Sequence, residues 1–327
     1  MNELNILYAT DEFYSQHAAA SIYSLLNTNK DFDKINIYII EDDIKKETKD
    51  KLQVLVNDFN NAVIIFYPFE KIREKIPAKD KSSFAKVGYA RLFISQLCDK
   101  ERLLYIDCDT IVNASLKELW NYELEGKIIG GVQDNPALYT LKKVGLSRKD
   151  RYINSGVLLI DLNKWREFQT EEKILNFIDK HNGFVTHHDQ GIINGVLKNN
   201  IKILPPKFNT MSQFFDTTEK QIKSLYDIDN YYTQNELDEA VENPVIIHYI
   251  TKFYNRPWFK DCTHPLKTLY IKYAEKTPFG AKLSDNQLSK KIKLRRFIFK
   301  NFPFSLYAFT ERILDIKRKW SINKDRG

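Results

Sequence analysis

Cysteine is scarce here. Three residues, Cys98, Cys108 and Cys262, stand in a chain of 327. An odd number at wide spacing builds no disulfide framework, fits a reducing compartment, and offers no pair with metal-ligand spacing. Long apolar runs are missing too. No stretch approaches about 18 uninterrupted apolar residues, so no segment is expected to span a membrane. The opening MNELNILYATDEFY has neither a basic region nor a long apolar run, which argues against a signal peptide and gives a cytoplasmic expectation. No internal repeat is present, and no low-complexity linker divides the chain before residue 265. A net basic charge is also absent from the body. Between Lys290 and Gly327, 12 Lys/Arg face 3 Asp/Glu, a balance of +9, so of the net +7 the rest carries −2. A slightly acidic body without a recognised module argues against a nucleic-acid partner.

What is present points to a large α/β domain. Hydrophobic residues are 43% of the chain, enough for a sizeable core, and the 13% aromatics suit ligand walls as well as cores. LNILYAT (4–10), INIYII (35–40) and AVIIFYPF (62–69) are apolar, β-branched strands, and helical patterns at 14–29 and 44–60 separate them. This β-α-β-α-β alternation predicts a mostly parallel sheet covered by helices. Further on, the pattern predicts a helix over 82–97, one strand through RLLYIDCDTIV (102–112) and another at 128–134. A polar loop is expected over 135–151, and a turn at Asn154-Ser155-Gly156 leads into an apolar strand. A helix is expected over 170–181, a loop entering a short helix at 187–198, and strands at 201–209 and 243–250. The expected organisation is a catalytic domain over residues 1–265 and a helical extension over 266–327.

Two carboxylates, Asp107 and Asp109, flank Cys108 at the end of a very apolar strand. Strand ends of open α/β sheets face the ligand crevice. Residues i and i+2 of a strict strand point the same way, so both carboxylates can meet one hard divalent cation such as Mg2+ or Mn2+. A solvated loop after a strand gives the same pattern, but acid beside LLYI is costly unless a cation compensates. His248, at the end of PVIIHY, is either a hydrogen-bonded core histidine or a third ligand, and its nitrogen favours Mn2+ over Mg2+. His187 and His188 are adjacent and lack zinc-site spacing, which makes them polar loop residues. Asp189-Gln190 can hydrogen-bond a polyol and Asp189 can N-cap a helix, two roles that are compatible.

Taken together, NILYATDEFY, GYARL (88–92), RLLYIDCDTIV, YINSGVLLIDLNKWR, HHDQGIINGVL and IIHY…RPW resemble, in order, the motifs of glycosyltransferase family 8. This is a family of retaining GT-A-fold enzymes that includes bacterial lipooligosaccharide galactosyltransferases, and the likeness covers roughly residues 4–265. The resemblance implies a Rossmann-like mixed, mostly parallel sheet. It implies Mn2+, with Mg2+ as the alternative, held by Asp107, Asp109 and His248, and a UDP-hexose donor whose diphosphate the metal holds. Ala9, Thr10 and Asp11 are then candidates for uracil and ribose contacts, Tyr14 for stacking on the base, and Cys108 for the donor wall. Arg91 approaches the donor sugar and phosphates, and Asn154 contacts donor or acceptor. Asp189 binds donor hydroxyls, and Gln190 lies near the anomeric carbon. Gln190 is a poor nucleophile, so retention proceeds by same-face attack within an ion pair or by double displacement through another residue. The first route is preferred.

The chain departs from the family pattern in two places. HYITKFYNRPW (248–258) is longer than the usual HxxGxxKPW, has Thr251 where Gly is expected, and leaves Arg256 or Lys252 to supply the phosphate-binding cation. Arg256 is favoured because Pro257-Trp258 follows it. Phe13 stands where some relatives place a polar residue toward uridine. In the tail, 289–327, basic residues interleave with aromatics, and Pro303 is expected to split it into two helices. An anionic membrane surface is the expected partner, which places the protein peripherally on the inner face of the plasma membrane. The acceptor is expected to be a saccharide or glycolipid of a cell-surface glycan, walled by 135–151 and 210–235. Two other functions are compatible with parts of the sequence: a degenerate nucleotide-sugar-binding scaffold, and a metal-dependent nucleotidyltransferase that would release pyrophosphate.

Overall fold

A computed structural model describes residues 2–74, 76, 86–95, 99–251, 254–285 and 288–324, the last ten of these by backbone alone. Cys98, Lys252 and the ends of the expected 82–97 helix lie outside the described residues.

The main sheet has seven strands in the order β3-β2-β1-β4-β7-β6-β8. They are β1 (Glu3–Asp11), β2 (Lys34–Asp42), β3 (Ala62–Pro68), β4 (Arg102–Ile106), β6 (Ile129–Gln133), β7 (Ile153–Asp161) and β8 (Ile201–Ile203). Only β7 runs against its neighbours β4 and β6, so the sheet is mixed and mostly parallel, as expected. Side chains alternate across it. Leu4, Ile6 and Tyr8 of β1 enter one core with the helices Ser15–Thr28 and Lys46–Asn57, while Leu7 and Ala9 enter the other. Burial on both faces explains why these strands are continuous apolar runs in the sequence.

A second, three-stranded sheet, β5-β10-β9, stands at the carboxyl end of β4. It comprises β5 (Thr110–Val112), β9 (Thr210–Met211) and β10 (Ile246–His248). The expected single strand over 102–112 is therefore two strands in two sheets, with Asp107-Cys108-Asp109 as the corner between them. A strict-strand geometry does not apply to that pair.

Other expectations are corrected by local packing. The 82–97 region contains a 3-10 helix, Lys86–Leu92, entirely buried after its first residue. The polar stretch 135–151 contains the helix Leu138–Lys143, which buries Leu141. Asn154-Ser155-Gly156 is not a turn but the start of β7, paired to β6 through Ile153. The strand at 201–209 ends at Ile203, and Pro206–Asn209 is a 3-10 turn. Pro303 does divide the tail, into helices Lys290–Asn301 and Phe304–Lys324.

The helix Lys267–Ala274 packs Tyr270, Tyr273 and Ala274 with Trp258, Ile247 and Ala20. In that layer His17 stacks on Trp258 (centroids 3.6 Å apart, 16° between planes), and its Nδ1 meets the Tyr270 hydroxyl at 2.6 Å. Burial pulls the His17 pKa down to about 3. The unfolded chain therefore takes up a proton below the ordinary histidine pKa that the folded chain refuses, and stability falls as pH drops from about 6.5 toward 3. Between about pH 7 and about pH 5 this penalty approaches roughly 2 kcal/mol, and His17→Phe is expected to remove most of that difference in urea unfolding. Equal pH slopes for variant and wild type would contradict it.

Candidate active site

The small sheet brings His248 to the aspartates. His248 pairs with Thr110 across β5-β10, and the Tyr249 N–H donates to the Asp109 carbonyl at 3.0 Å. Asp107 is fixed from the other side, its N–H donating to the Gly156 carbonyl of β7 at 2.7 Å. One ligand atom each from Asp107, Asp109 and His248 lies within 4.8 Å of the others. His248 Nε2 is 3.1 Å from Asp109 Oδ1 and 3.8 Å from Asp107 Oδ2.

The tautomer of His248 follows from its other nitrogen. Asn209 Nδ2 donates to Asn154 Oδ1 at 2.9 Å, which turns Asn209 Oδ1 toward His248 Nδ1, also at 2.9 Å. An amide oxygen only accepts, so Nδ1 carries a proton, and Nε2, which faces the two aspartates, is the nitrogen left to ligate a metal. Two carboxylates and that ring nitrogen then face one point, which is the donor arrangement of a divalent-cation site. The oxygen-rich donor set and the oriented imidazole fit a divalent ion such as Mn2+. The space is kept open by Gly156, where a Cβ would stand 2.3 Å from His248 Cε1 and 2.7 Å from Asp107 Oδ2.

Two arginines border the triad. Arg91, 5% exposed, is placed by the 3-10 helix. Its Nη2 is 2.8 Å from Asp107 Oδ1, its Nε 3.2 Å from Asp189 Oδ2, and its Nη1 donates to the Ser155 carbonyl at 2.8 Å. The guanidinium lies 4.1 Å from the Tyr105 ring centroid, and the Tyr105 hydroxyl donates to Asp107 Oδ1 at 2.7 Å. Arg256 Nη1 donates to Asp109 Oδ2. Burial on its own raises the Asp109 pKa, but Arg256 and His248 outweigh it and hold the carboxyl well below the usual range. For Asp189 burial prevails over Arg91 and the pKa is raised.

The helix His188–Leu197 supplies the next wall. Asn194 ties it to β7, accepting from the Ile153 N–H at 2.7 Å and donating to the Ile153 carbonyl at 2.9 Å. Asp189 is not the expected N-cap. Its Oδ2 accepts from Ser155 Oγ at 2.9 Å, and His187, in a left-handed conformation, holds the cap position. His187 and His188 stand where the loop enters this helix. Their Nδ1 atoms meet the Tyr152 and Tyr89 hydroxyls at 3.2 and 3.3 Å, and both residues line the cleft. Gln190 Oε1 accepts from Asn154 Nδ2 and the Ser155 N–H, each at 3.2 Å, while its Nε2 donates to Asp134 Oδ2 at 3.0 Å.

Two clefts meet at the triad. One is lined by Ala9, Thr10, Asp11, Phe13, Tyr14 and Cys108, together with Val87 and Gly88. The other is lined by Asn154, Ser155, Asp189, Gln190 and the two histidines. Arg91, Asp107, Asp109 and Arg256 belong to both. Every residue expected at the site therefore lines one cleft or both. Phe13 is 80% exposed, at the rim. Sequence reasoning missed Asn209, Ser155, Tyr105, Asp134 and Gly156. Of these, Tyr105, Ser155 and Gly156 stood inside quoted motifs, and Asn209 had no local signal.

Comparison with known proteins agrees with this geometry. The family model described as Glycosyl transferase family 8 matches residues 5–262. The chain is 27% identical to General stress protein A of Bacillus subtilis (strain 168), over 85% of this chain and 95% of the relative. It is 26% identical to a lipopolysaccharide 1,2-glucosyltransferase of Escherichia coli (strain K12), over 84% and 79%. Among solved structures, galactosyltransferase LgtC in complex with donor and acceptor sugar analogs superposes with a TM-score of 0.68 at 20% identity, covering 88% of this chain and 98% of that one. That likeness is one of fold, the GT-A arrangement.

Proposed function

The chain belongs to glycosyl transferase family 8, and from that premise we propose that it moves a hexose, galactose or glucose, from a UDP-sugar to a saccharide acceptor of a cell-surface glycan with retention at the anomeric carbon. The observation that carries the reading is the triad of Asp107, Asp109 and His248 on the border of two clefts. A nucleoside in the Ala9–Tyr14 cleft and a sugar in the Asp189–Gln190 cleft put a diphosphate across that border. Asp107, Asp109 and His248 would hold Mn2+, or Mg2+, and the ion would supply Lewis-acid neutralisation of the leaving diphosphate.

The chain's own residues do the rest. Tyr14 stands at the nucleoside cleft, edge-on to Trp258 at 6.0 Å, and presents its ring to the base. Arg91 is locked by two carboxylates and a carbonyl, so it adds fixed positive potential beside the phosphates with little reorganisation. Asp189 and Asn154 orient the sugar hydroxyls. Gln190 is uncharged and its Oε1 already takes two hydrogen bonds, which favours same-face attack over a covalent intermediate on this residue. The assignment of residues 1–265 as the catalytic domain, with 266–327 as its extension, belongs to the same proposal. The test is UDP release from a panel of nucleotide sugars with Mn2+. One UDP-hexose cleaved to UDP above the others supports the reading, whereas a preference for a non-uridine donor, or turnover only when a nucleoside triphosphate and a sugar 1-phosphate are supplied and pyrophosphate is released, sinks it.

We assign the tail to an anionic membrane surface on the cytoplasmic side, where a lipid-linked acceptor is met. Among the described residues no helix is long and apolar enough to cross a membrane. The helix Lys290–Asn301 buries no residue, and Leu294, Phe297, Phe302, Leu306 and Phe309 are exposed amid basic side chains. Exposed apolar side chains on helices that also carry many cations suit headgroup depth. Sedimentation with anionic vesicles is expected to carry the protein down, and Phe297→Glu with Phe309→Glu to leave it in the supernatant. Equal sedimentation of both forms would reject the assignment.

A further inference from the structure

Asp109 has two claimants. Its Oδ1 faces His248 Nε2, and its Oδ2 accepts from Arg256 Nη1. The side chain is 9% exposed, so water screens neither interaction well. Arg91 is fully committed to Asp107, Asp189 and backbone carbonyls in the interior. Arg256 is placed differently. Its side chain keeps 23% of its exposure, it also donates to the Tyr249 carbonyl, and its guanidinium faces the Trp258 ring at 5.8 Å. It lies on the border that both clefts share.

The charges set up a competition. Asp107, Asp109 and Asp189 against Arg91 and Arg256 sum to −1 with neutral histidines. A divalent cation at the triad turns that sum positive and must share the Asp109 carboxylate with a guanidinium. A nucleoside diphosphate reverses this, because it brings negative charge to the border and offers the guanidinium a bidentate partner. We propose that Arg256 is a tethered counter-ion. It holds Asp109 until a nucleoside diphosphate draws it away, and so makes the affinity for the divalent cation depend on the nucleotide. By linkage the cation strengthens nucleotide binding by the same factor. The proposal rests on the reading of the border as a diphosphate site.

Calorimetry on the full chain tests it, with Mn2+ titrated with and without UDP and UDP titrated with and without Mn2+. Arg256→Gln is expected to bind Mn2+ alone about 3- to 10-fold more tightly than wild type, and to bind UDP in the presence of Mn2+ about 10-fold more weakly. The mutual strengthening of the two ligands then shrinks by the same order. Tighter metal binding is a gain that misfolding does not produce. Arg256→Lys keeps the charge without the fork, and is expected to leave Mn2+ affinity near wild type while losing part of the UDP affinity. Unchanged or weaker Mn2+ binding by Arg256→Gln overturns the proposal while leaving the donor-site reading intact. Failure of wild type to bind UDP at any Mn2+ concentration removes that reading, and the proposal with it.

Discussion

Asp109→Ala is expected to cut UDP release from the preferred donor by about 10³-fold or more. Lewis-acid stabilisation of a leaving diphosphate contributes several kcal/mol, and each ~1.4 kcal/mol is a factor of ten in rate. Loss of a partner that merely orients a metal ligand costs about 10- to 100-fold in metal affinity, so loss of a ligand itself exceeds that. The fold is expected to survive, because what Asp109 gives the small sheet is its carbonyl, which accepts from the Tyr249 N–H and is untouched by the substitution. The carboxylate's partners keep other anchors, Arg256 the Tyr249 carbonyl and His248 the Asn209 side chain. Asp109→Asn separates charge from shape, and should fall nearly as far because the neutral amide is a weak ligand. Paired kinetics and Mn2+ titration read both effects. Activity within about threefold of wild type would mean that the triad holds no catalytic metal.

The second large effect is at a residue with no side chain. Gly156→Ala is expected to lower activity by about 10²- to 10³-fold, with a stability loss of about 1–3 kcal/mol. The new Cβ would meet His248 Cε1 at 2.3 Å and Asp107 Oδ2 at 2.7 Å, both closer than packed carbon tolerates. Neither neighbour is free to yield. His248 is pinned by Asn209, and Asp107 by Arg91 and the Tyr105 hydroxyl. Relief comes only from spreading the triad, which removes the geometry a small hard cation demands. Thermal melts are expected to stay cooperative while Mn2+ affinity falls. A variant that keeps wild-type metal affinity would show that the triad does not close on one ion.

Much of this was legible in the chain. The alternation of strands and helices through residue 69 gave the parallel half of the sheet, because strands buried on both faces advertise themselves as unbroken apolar runs. The paired aspartates were legible as a cation site, yet for an incomplete reason. They converge because β4 ends and β5 leaves for another sheet, and no local pattern marks that corner. The same limit hid Asn209. It sits in a 3-10 turn after Pro205-Pro206, 39 residues from the histidine it orients, and its role exists only once β9 pairs with β10. His187 and His188 do sit where a loop enters a helix, but their contacts with tyrosines of other elements follow from a left-handed backbone that composition does not forecast. In the tail Pro303 was sufficient, since proline ends a helix through its own covalent structure.

The central claim is that one divalent cation sits among Asp107, Asp109 and His248 and carries the donor's diphosphate. Anomalous diffraction from crystals grown with Mn2+ and UDP measures this directly. The account predicts a single strong manganese peak about 2.1 Å from an oxygen of each aspartate and from His248 Nε2, with diphosphate oxygens completing the shell. A peak elsewhere, or UDP bound in the Ala9–Tyr14 cleft with no metal at the triad, would contradict it.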